Sequence, residues 1–158
     1  SSAASDVYKR QIVGDAIVKE VMSLKLAVKL IETVEEKAAE MGLAVVVAVS
    51  DASGRPVAVH CMDGAYHGSF DVAVNKTYTS TAFQMSTAKL SRLCQPGQDL
   101  YGLQFSNNGK VMILGGGEPL MVGRTMIGAL GVSGGSAQED SDLAAYGASA
   151  LKEVIKCL

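Results

Sequence analysis

The alternation of apolar and polar residues predicts a long amphipathic helix early in the chain. Apolar side chains recur three or four positions apart between Leu24 and Met41, and lysines and glutamates occupy most positions between them. This spacing follows the 3.6-residue period of a helix with one buried face. Ser23 is suited to cap the first turn, and Gly42 is suited to end the helix. We therefore predict a helix over residues 24–41.

Short runs of apolar and β-branched residues predict strands after this helix. The turn "DASGRP" separates the first two runs, which is typical of an antiparallel hairpin, and Gly123-Arg124 separates the last two. The predicted strands cover residues 43–51, 57–62, 110–114, 119–122 and 125–133.

Further helices are predicted over residues 69–83, over 86–92 and from about 137 to the C-terminus, and residues 94–110 are predicted as a long loop. Parallel neighbours would need a crossover helix between most strands, and the sequence lacks them. The pattern predicts an α+β fold, a five-stranded antiparallel sheet flanked by helices. We predict one domain over residues 12–158. The small and polar start of the chain predicts a tail over residues 1–11 that is disordered or was added for expression.

Composition limits the classes of function. The chain has 158 residues, 48% of them hydrophobic, and a formal net charge of −2, which fits a globular domain and argues against nucleic acid as a partner. No apolar run is long enough to span a bilayer, and the N-terminus lacks the apolar core of a signal peptide, so we expect no membrane association and a cytosolic location. Three widely spaced cysteines without a CxxC motif argue against a disulfide framework or a structural zinc site.

The segment "CMDGAYHGSFDVAVNK" at 61–76 concentrates the ionisable residues. A metal site there is disfavoured because His60 and Cys61, as neighbours in a strand, face opposite sides of the sheet. Asp63 is interpreted mainly as a turn residue that accepts local backbone amides. Lys76 lies among small residues of a helix, so it either reaches solvent or pairs with a carboxylate, for which Asp63 and Asp71 are nearest in sequence.

Two glycine clusters, "GGGEP" at 115–119 and "GVSGG" at 131–135, end neighbouring predicted strands. The first is neither a phosphate-binding loop nor a dinucleotide fingerprint. The second matches the G-x-S-x-G nucleophile motif at Ser133, but both histidines precede this serine, against the order of that motif's hydrolases. The two clusters can instead form a rim of backbone amides that holds carboxylates or an oxygen ligand.

Taken in order, four segments resemble the GlcG/HbpS haem-binding family, most closely the C-terminal domain of PduO-type proteins. They are "VSDASGRPVAVHCMDGAY", "DVAVNKTYTSTAF", "QPGQDLYGLQFSNNGKVMILGGGEPLM" and "IGALGVSGGSAQED". The resemblance covers roughly residues 24–150. It implies a profilin-like fold, a ring-shaped homo-oligomer that is often an octamer, and binding of haem or a corrinoid. It implies no general enzyme mechanism.

The family's motif residues carry over to Met62-Asp63-Gly64-Ala65, to Asn75-Lys76 and to both glycine clusters, whereas Cys61 stands where the family usually has arginine. His67 follows the motif's turn and is our first choice as the ligand of the haem iron. The predicted cofactor-binding residues are His60, Met62, Asp63, Tyr66, His67, Lys76, Gly115, Gly116, Gly117, Pro119, Ser133 and Gly134.

The leading hypothesis is a non-catalytic, oligomeric domain that binds haem, with a corrinoid as the alternative ligand. It would serve cobalamin-dependent diol metabolism, either free in the cytosol or within a bacterial microcompartment. Two alternatives stay open. One is an assembly module whose glycine motifs serve only subunit contacts. The other is an enzyme that uses Lys76, Asp63 and His67 on a carboxylate-bearing small molecule.

Overall fold

The computed structural model describes residues 21–158. The predicted tail over residues 1–11 and the first residues of the predicted domain lie outside this range. Within it the helices are α1 Leu24–Glu40, α2 Ser69–Phe83, α3 Thr87–Leu93 and α4 Ala137–Lys156. The strands are β1 Val46–Asp51, β2 Pro56–Cys61, β3 Gly117–Val122 and β4 Thr125–Ser133.

The strands of the described residues form one antiparallel sheet in the order β2-β1-β4-β3. Strand β1 is central, and its first five residues are buried because both neighbours and both faces cover it. The outer strands β2 and β3 each contain a proline, Pro56 and Pro119. The predicted α+β class is confirmed; the profilin-like classification stays a prediction.

The predicted count of five strands is wrong for residues 21–158, whose sheet has four strands. Residues 110–114 form no strand, and two of their backbone groups contact the side chain of Thr79 in α2. The hydroxyl of Thr79 accepts from the amide of Met112 at 2.8 Å and lies 3.3 Å from the carbonyl oxygen of Lys110. Val111 packs with Leu90 and Cys94 in a small apolar cluster under this loop. The segment is therefore apolar because it covers α3.

Helices α1 and α4 cover one face of the sheet and enclose the main hydrophobic core. Its fully buried members include Leu30 and Val34 of α1, Val47 of β1, and Leu130 of β4. Helix α1 has the predicted N-cap, since the Ser23 side chain accepts from the amide of Leu26 at 3.1 Å. None of the helices in residues 21–158 is long and apolar enough to cross a membrane.

Helix α2 covers the other face of the sheet at unusually close range. Ala73 of α2 packs on Val46 and Ala48 of β1. A Cβ atom added to Gly131 of β4 would collide with the carbonyl oxygen of Ala73. The glycine thus lets the helix backbone lie directly on the strand, and this fixes the position of every side chain that α2 presents.

Candidate functional site

A buried ion pair between Lys76 of α2 and Asp140 of α4 lies at the end of the sheet where the glycine clusters meet. The side chains are 1% and 6% exposed, and the Lys76 Nζ atom lies 3.2 Å from the Asp140 Oδ2 atom. Lys76 also donates to the carbonyl oxygen of Val132 at 2.7 Å. The amide of Gly135 donates to Asp140 Oδ1 at 2.8 Å. The pair therefore ties α2, β4 and α4 together.

Burial and mutual attraction act in opposite directions on this pair. Burial lowers the pKa of Lys76, and the charge and hydrogen bond of Asp140 oppose that change. Burial raises the pKa of Asp140, while Lys76 and the amides of Gly135 and Gly134 oppose it. Because the pair is almost fully removed from solvent, the geometry favours a structural role for it, and contact of Lys76 with a cofactor stays a prediction.

The glycine clusters pack against this pair inside the chain. Gly116 has φ +122°, and an added Cβ would lie 2.7 Å from the Lys76 Nζ atom. The amide of Gly117 donates to the Thr87 hydroxyl at 2.8 Å. Gly115, Gly116 and Gly117 are buried. The amides of Gly117 and Gly135 are therefore engaged internally rather than offered on an exposed rim.

Two other predicted residues of the second cluster are also internal. Ser133 is buried at the end of β4, and no hydrogen bond among the described residues joins it to a histidine. Gly134 has φ +145°, and a Cβ there would lie 2.7 Å from the carbonyl oxygen of Ala44. The placement gives no support to acyl transfer at Ser133, and it shows that these glycines serve contacts within one chain.

The turn between β2 and α2 presents the remaining predicted residues at the surface. Asp63, Tyr66 and His67 are exposed, Met62 is partly buried, and Gly64 adopts φ +86° to form the turn. Among residues 21–158 the Asp63 carboxylate accepts no hydrogen bond from the turn amides. The two histidines differ, because the Nδ1 atom of His60 lies 2.7 Å from Glu35 Oε1, whereas the His67 ring has no hydrogen-bonding partner within the described chain.

This geometry bears on two sequence hypotheses about Lys76. Its partner is Asp140, not Asp63 or Asp71. Lys76 is buried, whereas Asp63 and His67 are exposed, so the three side chains do not surround a common cleft. The described geometry therefore gives no support to the enzyme hypothesis built on these residues, and that hypothesis stays a prediction. In the described range no group of three or more histidine, cysteine, aspartate or glutamate side chains is arranged to hold a metal ion.

A pocket of about 640 Å³, which neither histidine lines, opens between the α2–α3 corner and the β3–β4 hairpin. Two cations and one carboxylate lie in its wall, and burial raises the pKa of that carboxylate, Glu118. The pocket is lined by Gln84, Met85, Ser86, Lys89, Glu118, Pro119, Met121, Arg124 and Met126.

Of the predicted site residues, the pocket contains only Pro119. The other lining residues were missed because they come from segments about thirty positions apart. A usable signal was present, since Met85, Met121 and Met126 fall next to predicted element ends. Sulfur-containing side chains near such ends are adaptable contacts for ligands.

Comparisons with known proteins show similarity over most of the chain. The sequence model of a family described as "Haem degrading protein HbpS-like" matches residues 22–149. A 15.0 kDa protein from the dhaT-dhaS intergenic region of Citrobacter freundii is 39% identical over 123 residues, 78% of this chain and 87% of that protein. The corrinoid adenosyltransferase PduO of Salmonella typhimurium is 39% identical over 109 residues, 69% of this chain. The match spans only 32% of PduO.

A solved structure is also similar over most of the chain. The crystal structure of the PduOC:haem complex superposes with a TM-score of 0.78 and 35% sequence identity, covering 82% of this chain and 94% of that one. The arrangement of helices on an antiparallel sheet is thus shared with a protein crystallised with haem.

Proposed function

Because the chain belongs to the HbpS-like family, we propose that it is a haem-binding domain. The observation that carries the proposal is the 35% identity to the chain of the PduOC:haem complex, over 82% of this chain. The residues that the family model matches, 22–149, include the β2–α2 turn and both glycine clusters. The glycines and the Lys76–Asp140 pair then act indirectly, by fixing the turn and α2.

We propose His67 as the residue that holds the haem iron. An axial ligand needs a free ring nitrogen, and His67 is exposed without a protein partner among the described residues, whereas His60 is engaged by Glu35. Tyr66 and Phe70, 75% and 44% exposed, flank His67 in sequence and offer aromatic surface to a porphyrin. These residues fit the group, which would supply iron-centred chemistry when bound.

We propose that the domain holds its ligand without transforming it. The support is that the ionisable residues of the turn and of α2 do not converge on one cleft, since Lys76 is used internally. A corrinoid is the second candidate, because PduO of Salmonella typhimurium is a corrinoid adenosyltransferase. The same similarity supports a role in cobalamin-dependent diol metabolism, in the cytosol or a microcompartment.

Titration with haemin tests the proposal, because the chain contains only two histidines. We expect a shift of the Soret band at micromolar haemin for the wild type and for His60→Ala. We expect His67→Ala to bind at least about tenfold more weakly, since it loses the axial bond. A parallel titration with hydroxocobalamin identifies a corrinoid ligand.

The outcomes separate two parts of the proposal. No spectral change with the wild-type protein at micromolar haemin overturns haem binding. If the wild type binds haemin and His67→Ala binds it equally well, then haem binding stands and the assignment of His67 is wrong. Weaker binding by His60→Ala would then point to His60 as the ligand.

A further inference from the structure

The pocket between the α2–α3 corner and the β3–β4 hairpin has the features of a ligand site separate from His67. Its volume of about 640 Å³ lies within the range of small-molecule sites, roughly 300–1,000 Å³. One wall comes from residues 84–89 and the other from residues 118–126. It is thus formed by elements that the buried core holds in place.

The pocket presents two cations that the described chain leaves unpaired. Lys89 of α3 and Arg124 of the β3–β4 turn both line it, one from each wall. Among residues 21–158 neither side chain takes part in an ion pair, even though Glu118 lines the same pocket. The guanidinium group is suited to bidentate contact with a planar anion, and the ammonium group adds a second positive charge.

The rest of the lining combines adaptable apolar side chains with the polar side chains of Gln84, Ser86 and Glu118. The chain has seven methionines, and Met85, Met121 and Met126 line this one pocket together with Pro119. Thioether side chains are flexible and polarisable, and they pack well on aromatic rings. The chemistry of these thioether groups therefore suits a ligand with a flat apolar body.

We propose that this pocket binds an organic anion with a flat apolar body. Lys89 and Arg124 hold the anionic group, and the three methionines contact the apolar faces. Glu118 sets a limit on the affinity, because its carboxylate repels an anion when ionised. Burial raises the pKa of Glu118, so the repulsion weakens as the pH falls and the carboxyl group takes up a proton.

The methyl groups of the methionines report ligand binding in the pocket through their NMR signals. The test is a titration of the whole chain, labelled with [methyl-¹³C]methionine, with naphthalene-1-sulfonate and with 1-naphthylmethanol as the neutral analogue. We expect the sulfonate to shift the signals of Met85, Met121 and Met126. The internal controls are the methionines outside the pocket, Met22, Met41, Met62 and Met112.

Variants test which charges matter. Arg124→Gln and Lys89→Gln should each weaken sulfonate binding by about tenfold, as expected for loss of a charge-assisted hydrogen bond. Arg92→Gln, which removes an exposed cation of α3 that does not line the pocket, should leave it unchanged. Glu118→Gln should strengthen it by about threefold near neutral pH, since an opposing charge is removed.

Three results would overturn the proposal. The first is the absence of shifts at the pocket methionines at millimolar sulfonate. The second is equal binding of the neutral analogue, which would show an apolar groove without anion recognition. The third is haemin broadening the signals of Met85, Met121 and Met126 instead of Met62, which would make the pocket the haem site.

Discussion

Lys76 of α2 contacts both α4 and β4 through its buried ammonium group. Replacing one partner of a buried ion pair leaves the other charge without compensation, which costs about 3–5 kcal/mol. We expect Lys76→Met and Asp140→Leu each to lower the free energy of unfolding by that amount. Urea denaturation followed by circular dichroism measures it.

The double variant is the control for this prediction. Lys76→Met with Asp140→Leu removes both charges, so it should be more stable than either single variant. Costs that simply add in the double variant would show that the two side chains are not energetically coupled. The exposed pair Lys156–Glu153, at 3.2 Å, offers a comparison, since its loss should change stability by under about 1 kcal/mol.

The partner of Lys76 shows what the sequence could and could not predict at this scale. A lysine among small helical residues correctly indicated a choice between solvent and a carboxylate. Sequence proximity then suggested Asp63 and Asp71, whereas the contact joins residues 64 positions apart. Position along the chain says little about which helices pack together. The capping box of Ser136 and Glu139 does predict a helix start that would place Asp140 in its first turn.

At the scale of elements, Gly131 decides how closely α2 packs on the sheet. Gly131→Ala should lower the free energy of unfolding by about 2–3 kcal/mol, because the added methyl group meets the carbonyl oxygen of Ala73 in a rigid backbone. Thermal and urea unfolding measure the change. Gly68→Ala is the matched control, since a Cβ there has no neighbour within 4 Å.

The expected effect of the control is under about 0.5 kcal/mol. If Gly131→Ala and Gly68→Ala lower the free energy of unfolding equally, then close packing of α2 does not explain why position 131 is a glycine. Haemin titration of the Gly131→Ala variant would add a second reading, since a displaced α2 also displaces the turn that carries His67.

The elements themselves differ in how well the sequence predicts them. Helix α1 was predicted nearly to the residue because its apolar period and its Ser23 cap agree. Residues 110–114 were predicted as a strand for the same apolar and β-branched character, and this was wrong. The amide of Met112 and the carbonyl oxygen of Lys110 bond to the Thr79 hydroxyl instead of a neighbouring strand, and no periodicity distinguishes that arrangement from a sheet.

At the scale of the whole molecule, the pocket lay beyond sequence reasoning. Its walls derive from two segments that meet only because β3 pairs with β4 and α3 packs beside β3. Local sequence patterns predicted the buried core and the antiparallel pairing. A cavity depends instead on how helices and strands pack against each other in three dimensions.

The resemblance predicts a homo-oligomer, and we propose that subunits associate through exposed apolar side chains. Tyr66, Tyr101 and Phe105 are 75%, 55% and 77% exposed, and aromatic side chains are enriched in subunit interfaces. Native mass spectrometry should show a closed assembly, an octamer by analogy with the family. A particle of 16.4 kDa with and without haemin would contradict this prediction.

Pro56 and Pro119 limit how such copies can join. A proline has no amide hydrogen, so each outer strand lacks one donor that an added strand would need for an unbroken ladder. Growth by edge-to-edge strand addition, the route to fibrils, is therefore hindered at both borders of the sheet. Subunits that meet through helices and loops can close on themselves, and concentrated protein should stay free of amyloid.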